Sequence, residues 1–396
     1  MEDRRGWSQC LLAGAVFVVC MAGTTLPTPL YLLYEEKFGF SGLTVTVVYA
    51  VYAFGVMAVL LLAGNVSDAV GRRPALLWGL GFAAASAVSF LAADALGWLY
   101  AGRLLSGLSA GLFTGAATAY VMELAPPGGR ARATPVATAA NTGGLGCGPL
   151  LAGVLAEYAA HPLVVPFAVH LAFLAVAAVV LVRLPETVTD RRPAASVRPS
   201  GLALPPQVRA VFAPAAIASF VGFALFGLFA SVSPAFLAGS LHVDHRAVSG
   251  LVVALAFFSS MLGQLGVDRV GVARSLPVGC AVLFAALALL AGALWTGLLA
   301  LVVLSAVLGG IGQGLAFRAS LTTVAAAAPA DRRAAVLSAL FVVAYTGISL
   351  PVIGVGLLSD RWDLERAGFV FIGCMLLLVS AAGAYLLYRP AGTERQ

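Results

Sequence analysis

Apolar residues in this chain run in long blocks, separated by short polar hinges that carry arginine, aspartate, glycine or proline. The blocks lie near residues 8–34, 42–64, 74–93, 98–123, 134–157, 162–184, 210–238, 246–266, 275–295, 297–325, 333–358 and 366–388. Each is long enough for a helix rising 1.5 Å per residue to cross a hydrocarbon core of about 30 Å. The run from Leu276 to Val324 is too long for one crossing and divides at Trp295, Thr296 and Gly297. The first block is longer than a signal-peptide core and has no small-residue cleavage site behind it, so it reads as a retained span. The pattern predicts an all-α integral membrane protein with twelve transmembrane helices.

Composition agrees and closes off other classes. Of 396 residues, 61% are hydrophobic and 10% charged, and the mean hydropathy is +0.99. A soluble domain carries roughly 25% charged residues, so too little polar surface exists here to cover a globule in water. Glycine and proline have no fixed period, which excludes collagen-like chains. Cys10, Cys20, Cys147, Cys280 and Cys374 all sit in or beside apolar blocks without metal-ligand spacing, so no metal site and no disulfide framework is expected.

Charge sets the orientation. The 23 basic residues comprise 22 arginines and one lysine, Lys37. With twelve spans, 17 of them fall on one side: Arg4, Arg5, Arg72, Arg73, Arg130, Arg132, Arg183, Arg191, Arg192, Arg198, Arg209, Arg269, Arg274, Arg332, Arg333, Arg389 and Arg395. Lys37, Arg246, Arg361 and Arg366 fall on the other, while Arg103 and Arg318 lie inside spans. The bias places both termini in the cytoplasm. No basic cluster with interleaved aromatics exists on a soluble face, so nucleic acid is not an expected partner.

Residues 185–209 hold Pro185, Pro193, Pro199, Pro205 and Pro206 with four arginines, and read as a non-helical cytoplasmic linker. They separate an N-terminal six-helix bundle, 1–184, from a C-terminal one, 210–396. The two halves repeat each other. Asp68 and Gly71 recur as Asp268 and Gly271; Gly107, Gly111 and Leu112 as Gly310, Gly314 and Leu315; Gly144 and Gly153 as Gly347 and Gly356. Parallel six-helix repeats are a signature of secondary transporters, with a substrate site between the halves.

The loop after the second span reads Gly64-Asn-Val-Ser-Asp68-Ala-Val-Gly71-Arg72-Arg73-Pro74. A short turn between membrane helices favours a glycine able to take positive φ, and Pro74 suits the first turn of the next helix. Asp68 can pair with the arginines or accept from a helix N-terminus. This segment follows G-x-x-x-D-x-x-G-R-R and resembles the signature of the major facilitator superfamily. The twelve spans, central linker and cytoplasmic ends extend the resemblance over the chain. It implies the major facilitator fold and a conformational latch made of Gly64, Asp68, Gly71, Arg72 and Arg73; the excess of arginine over lysine, with high alanine, suggests a GC-rich bacterial genome, so the expected location is a bacterial plasma membrane. The second copy is weaker, because Gln264 stands where Gly64 does in the first.

Two further stretches carry the resemblance. In the fourth span, Leu99-x3-Arg103-x2-Ser106-Gly107 is similar to the family's arginine motif. An arginine about 8 Å into the apolar region must face protein or water, or snorkel to the interface; the resemblance implies that Arg103 tunes proton binding. In the fifth span, Gly144, Gly148, Pro149 and Gly153 resemble the motif of drug:proton antiporters. The small residues permit close packing and Pro149 allows a bend.

Thr25, Thr28, Tyr49, Tyr52, Asn141, Phe226, Gln313, Phe317, Arg318 and Tyr345 are polar, charged or aromatic groups at membrane depth and are candidates for a substrate cavity, though each aromatic could equally be packing. No Asp or Glu lies near the middle of a span. The proton-coupling candidates are therefore Glu35 or Glu36, if the outer part of the first span approaches Arg103; the other reading is an interfacial acid pair with Lys37. The expected function is proton-coupled export of lipophilic or amphipathic molecules by a monomer in contact with membrane lipids, without cofactor or enzymatic activity. The alternative is a porter for a small polar or anionic metabolite held by Arg318.

Overall fold

The computed structural model describes residues 2–64, 66–189, 201–241 and 243–388. Residues 190–200 of the expected linker, with Arg191, Arg192 and Arg198, lie outside the described residues, as do Arg389 and Arg395. The described chain is helical and contains no strand. In order the helices are α1 (Glu2–Thr25), α2 (Tyr31–Phe38), α3 (Gly42–Leu62), α4 (Val66–Val70), α5 (Arg72–Leu91), α6 (Leu96–Glu123), α7 (Arg130–Thr138), α8 (Gly144–Tyr158) and α9 (Val165–Arg183). They continue with α10 (Pro206–Ser231), α11 (Ser233–Gly239), α12 (Arg246–Val270), α13 (Val272–Thr296), α14 (Leu299–Ala327), α15 (Arg333–Ser359) and α16 (Leu364–Tyr388).

Among the described residues, eleven helical stretches are long and apolar enough to cross a membrane. The predicted fifth span is the one that does not qualify. Its helical path is divided into α7, a π turn at Ala139–Gly143 and α8, of 9, 5 and 15 residues. The division between the ninth and tenth spans lies where the sequence indicates it: α13 ends at Thr296, and Gly297 turns the chain with φ of 68°.

The helices cluster into two compact units, Met1–Gly39 with Val51–Ser200, and Phe40–Ala50 with Gly201–Gln396. In the first unit α6 packs on α1 and α5, α1 on α8, and α9 on α1 and α5. In the second, α14 packs on α10, α12 and α13, and α10 on α15. The start of α3 belongs to the second unit, where Ser41 Oγ donates to Asp360 at 3.3 Å and Thr46 abuts Gly356.

Glycines set the helix separations. A Cβ on Gly107 of α6 would collide with the carbonyl of Tyr52 on α3, and one on Gly111 would come within 2.7 Å of Val59 Cβ. The repeat makes the same crossing between α14 and α12, where Gly310 lies on the Ala256 carbonyl and Gly314 on that of Ser260. Gly144 on Val18, between α8 and α1, is matched by Gly347 on Phe220, between α15 and α10. Small residues thus face inward. Large apolar side chains such as Phe54, Trp78, Val176, Leu262 and Leu377 stay exposed. An exposed surface of that composition is at home in lipid, not water.

Candidate functional site

Four places in the two units hold the chemistry that the sequence singles out. The first is built on the break in the first span. Pro27 and Pro29 lack the N–H groups needed to continue the helical ladder, so α1 stops at Thr25 and a 3-10 turn at Thr28–Leu30 leads into α2. The carbonyls at the end of α1 are then available to other donors. Arg103 takes one of them, donating from Nη1 to the Thr24 carbonyl at 2.6 Å. Its guanidinium lies over the Tyr52 ring, 4.8 Å from the centroid. Arg103 is 1% exposed, the largest side chain buried to this degree. A charge so placed must be held by hydrogen bonds and ring faces, since lipid offers neither.

The buried hydroxyls of Tyr31, of Ser106 one turn further along α6, and of Thr28 in the break itself have oxygens with no hydrogen-bond partner. Cys20, Gly23, Thr24, Ser86, Ser106 and Ser109 line a small pocket on this side of α6. Thr25 Oγ1 donates to the Leu145 carbonyl at 2.7 Å, tying the break in α1 to α8. Beyond the break, Glu35 is half-buried and Glu36 exposed on α2, while Lys37 Nζ donates to the Ala93 carbonyl at 2.7 Å.

The second place is α8 itself. A Cβ on Gly148 would strike the Ala22 carbonyl, and one on Gly144 would lie 2.9 Å from both Met21 Cβ and the Val18 carbonyl oxygen. Gly153 and Pro149 are buried in the same helix. Asn141 is in the π turn just before α8; such turns free a backbone carbonyl from regular pairing and often mark functional positions.

The third is the loop after the second span. Arg72 pairs with Asp68 at 2.5 Å and with Glu123, at the end of α6, at 3.0 Å, and donates to Ser67 Oγ at 2.7 Å. Gly71 holds φ of 105°, and Gly271 in the repeat holds 85°, so both loops use the glycine-only turn expected of them. Arg73 Nη2 donates to the Val182 carbonyl at 2.6 Å. Gly64 lies in the turn that precedes α4.

The sequence reading missed the residue that organises this loop. Glu186 accepts from the backbone N–H groups of Arg72 and Arg73, at 2.9 and 3.0 Å, and so caps the N-terminus of α5. It also accepts from Thr187 and Val188 in its own turn. Partial burial pushes its carboxyl pKa up, but these backbone donors outweigh burial and hold it below the ordinary value of 4.5. Thr187 Oγ1 donates to Glu123 at 2.6 Å, and the Tyr120 hydroxyl donates to the Pro185 carbonyl at 2.7 Å. Only a lone acid directly after the sixth span, at the head of a basic stretch, hinted at this role in the sequence.

The fourth place is in the second unit. Ser260 Oγ donates to Gln313 Oε1 at 2.5 Å, and Gln264 Nε2 reaches Ser260 Oγ at 3.4 Å. Arg318 Nη1 donates to the Gln264 carbonyl at 2.6 Å, and Nη2 pairs with Asp268 at 2.8 Å. The acid partner that the middles of the spans do not supply therefore comes from the last turn of α12. Beside this network stands an aromatic cluster. Phe223 meets Phe317 edge-on at 5.0 Å and Tyr345 at 5.7 Å, and Phe341 lies 5.9 Å from Phe317. Phe223, Phe317 and Phe341 are half-buried, whereas Phe226 is 5% exposed and packs on Phe257. Phe341 was not singled out in the sequence. Tyr49 is buried near the start of α3, in the second unit.

A family model described as Major Facilitator Superfamily matches residues 12–351 of this chain. Among curated proteins, the chain is similar to the puromycin resistance protein pur8 of Streptomyces alboniger, with 34% identity over 159 residues. That match covers 40% of this chain and 31% of the relative. It is also similar to the tetracycline resistance protein, class G, of Vibrio anguillarum, with 38% identity over 99 residues and 25% of each chain covered. The chain thus spans under a third of the length of these curated relatives in the matched regions. Among solved structures, a bacterial homolog of the human lysosomal transporter Spinster, inward-facing and unoccupied, superposes with a TM-score of 0.73 at 15% identity. The superposition covers 97% of this chain and 96% of that one. The nucleoside transporter NupG, in mutant form, gives 0.67 at 16% identity, covering 95% and 98%.

Proposed function

The chain belongs to the Major Facilitator Superfamily, and on that premise we propose that it exports lipophilic or amphipathic small molecules in exchange for protons by alternating access. It is a multi-pass membrane transporter of small molecules; export, the proton and the substrate class are our reading. Similarity to two resistance proteins of bacteria supports export. The observation that carries the substrate class is the aromatic cluster of the half-buried Phe223, Phe317 and Phe341 with the buried Tyr345. Ring faces and edges accommodate varied apolar bodies without the fixed polar geometry that a single metabolite needs.

The reading includes twelve spans, with the segment from α7 through α8 as the fifth, and both termini in the cytoplasm of a bacterial plasma membrane. The loop around Asp68, Arg72 and Arg73 acts as a conformational latch, with Glu123 and Glu186 as parts of it. Glu35, half-buried, is preferred over the exposed Glu36 as the group that titrates against Arg103. The protein works as a monomer. A metabolite porter centred on Arg318 is less well supported, because that guanidinium is already engaged by Asp268 and the Gln264 carbonyl.

Proteoliposomes loaded with an amphipathic dye test the proposal. An imposed pH gradient should drive dye across the membrane, and a protonophore should stop it. Dye movement unaffected by the protonophore would remove proton coupling, and no movement of any amphipathic probe, with saturable transport of a polar metabolite, would remove the substrate class.

A further inference from the structure

The last turn of α1 meets a different helix at each of three successive residues. The Ala22 carbonyl lies against Gly148 of α8, and Arg103 of α6 donates to the Thr24 carbonyl. Between them, Gly23 faces α9, where a Cβ would strike Nε2 of His170. The bare backbone at Gly23 is what lets the imidazole rest on α1, two residues before that helix stops at Thr25. His170 lies in the second turn of α9, roughly 8 Å along its axis. It is 2% exposed, and its Nε2 is buried without a hydrogen-bond partner. Three residues earlier, Phe167 stacks on Phe90 at 5.0 Å and sets the register of α9 against α5.

The Gly23 carbonyl is left short of a donor by the sequence itself. In a continuous helix it would accept from the N–H of residue 27, but that residue is Pro27, which has none. A neutral ring with its proton on Nδ1 offers Nε2 only as an acceptor, whereas a charged ring donates from both nitrogens. Charging the ring where it now sits would bury a cation without an acceptor. No carboxylate at this depth offsets that cost. The helices packed on α9 are α1, α5 and α8. Glu2, Asp3, Arg4, Arg5, Arg72 and Arg73 are at the far ends of α1 and α5, as Arg183 is on α9 itself, and Glu157 and Tyr158 close the other end of α8. Besides the thiols of Cys10, Cys20 and Cys147, the nearest charge along the chain contacts is Arg103, on the residue after Gly23.

We propose that His170 is a proton-binding site that sets the geometry of the break in α1. The ring is neutral in the arrangement described here. When it takes a proton from the aqueous phase, the end of α1 turns to bring the Gly23 carbonyl onto Nε2, beside the Thr24 carbonyl held by Arg103. Of the three groups that grip this turn, His170 is the one whose ordinary titration falls between about pH 5 and 8. The site is distinct from Glu35 on α2 and acts on the break whatever solute or ion is transported.

Histidine NMR and hydrogen–deuterium exchange on the full-length protein in nanodiscs test this across about pH 5–8. The ring is assigned through His170-Leu171, the one His–Leu pair in the sequence. In wild type it should titrate, and exchange in residues 20–34, corrected for its intrinsic pH dependence, should change about tenfold with the same midpoint. In His170→Gln the corrected exchange should be flat. Pro27→Ala restores the N–H that the Gly23 carbonyl lacks, so there too the change should be lost. Melting curves check that both variants fold; if neither does, coincidence of the two wild-type midpoints decides. A ring that stays neutral throughout, titration without a change in exchange, or a response that survives in either variant would each overturn the proposal, and survival in His170→Gln would pass the response to Glu35.

Discussion

The two units share their helix crossings and differ in nearly all of their buried chemistry. Gly107 and Gly111 bring α6 onto α3 as Gly310 and Gly314 bring α14 onto α12, and Gly144 and Gly347 make a second equivalent pair of contacts. The polar groups do not follow this repeat. Unit one buries Arg103 against a carbonyl and a ring, with small hydroxyls around it. Unit two has Ala306 at the repeat-equivalent position and places its arginine, Arg318, further along α14 in a half-exposed pair with Asp268. Even the ion pairs at the helix ends differ: an arginine at the start of α5 meets an acid at the end of α6 in unit one, and an acid in the last turn of α12 meets an arginine within α14 in unit two. Close backbone approach is a demand of the architecture, so it recurs wherever the architecture does. Side-chain chemistry has no such demand on it, and the asymmetry is where function has room to reside.

If that division holds, the glycines should be the most damaging positions to change. Gly107→Val and Gly310→Val each drive a side chain into a backbone carbonyl that cannot yield, and overpacking of this kind typically costs about 1–3 kcal/mol, more where the obstacle is backbone. Both variants should fail to give monodisperse protein by size-exclusion chromatography. Gly115→Val is the control, because no atom lies within 4 Å of a Cβ there; it should behave as wild type. Tolerance at one crossing and failure at the other would break the equivalence of the units.

The same division explains what could be read from the sequence. Spans and crossings are local or periodic: blocks of apolar residues, glycines four apart, and a constant offset between halves. The block near residues 134–157 was legible as apolar sequence, but the π turn at Ala139–Gly143, which divides it, is a backbone event that no residue pattern announces. The loop at Asp68 was legible because its glycine, acid and arginines are contiguous. Glu186 was not, since it acts on Arg72 and Arg73 across more than a hundred residues of chain, and in linear view it is one charge in a proline-rich stretch. Likewise Asp268 and Arg318 are separated by 50 residues, so their pairing had no linear signal.

Arg103 should give the next largest effect and the sharpest contrast with unit two. Arg103→Ala removes a charged donor from the Thr24 carbonyl and leaves a void over Tyr52, a loss of about 2–4 kcal/mol. Arg103→Lys keeps the charge but not the planar group over the ring, so it should recover only part of the thermal stability. Full recovery would mean that charge alone matters there.

Glu186→Gln should cost about 1 kcal/mol, the typical worth of a helix N-cap with a charged acceptor. Its pH dependence is specific. The folded-state pKa lies below the ordinary 4.5 because the four backbone donors favour the carboxylate. The stabilisation is therefore present above about pH 4.5 and fades as pH falls through the lower folded value. The melting-temperature gap between wild type and Glu186→Gln should be constant near neutrality and shrink in acid. A gap that widens in acid would show that the protonated form is the one the fold prefers.

Arg318 should give the smallest effect of all, and for that reason it distinguishes the two readings of transport. The pair with Asp268 is partly solvated, with side chains 22% and 65% exposed, and pairs in such settings contribute about 0–1 kcal/mol. A double-mutant cycle with Arg318→Ala and Asp268→Asn should give a coupling within that range. For an exporter of apolar molecules, both single variants should leave dye transport near wild type, because the arginine serves the end of α12 and not the substrate. For a porter that binds an anion through Arg318, the two variants diverge: Arg318→Ala abolishes binding, while Asp268→Asn frees the guanidinium and strengthens it. The sign of the Asp268→Asn effect on anion binding thus separates the readings even where its effect on stability is too small to measure.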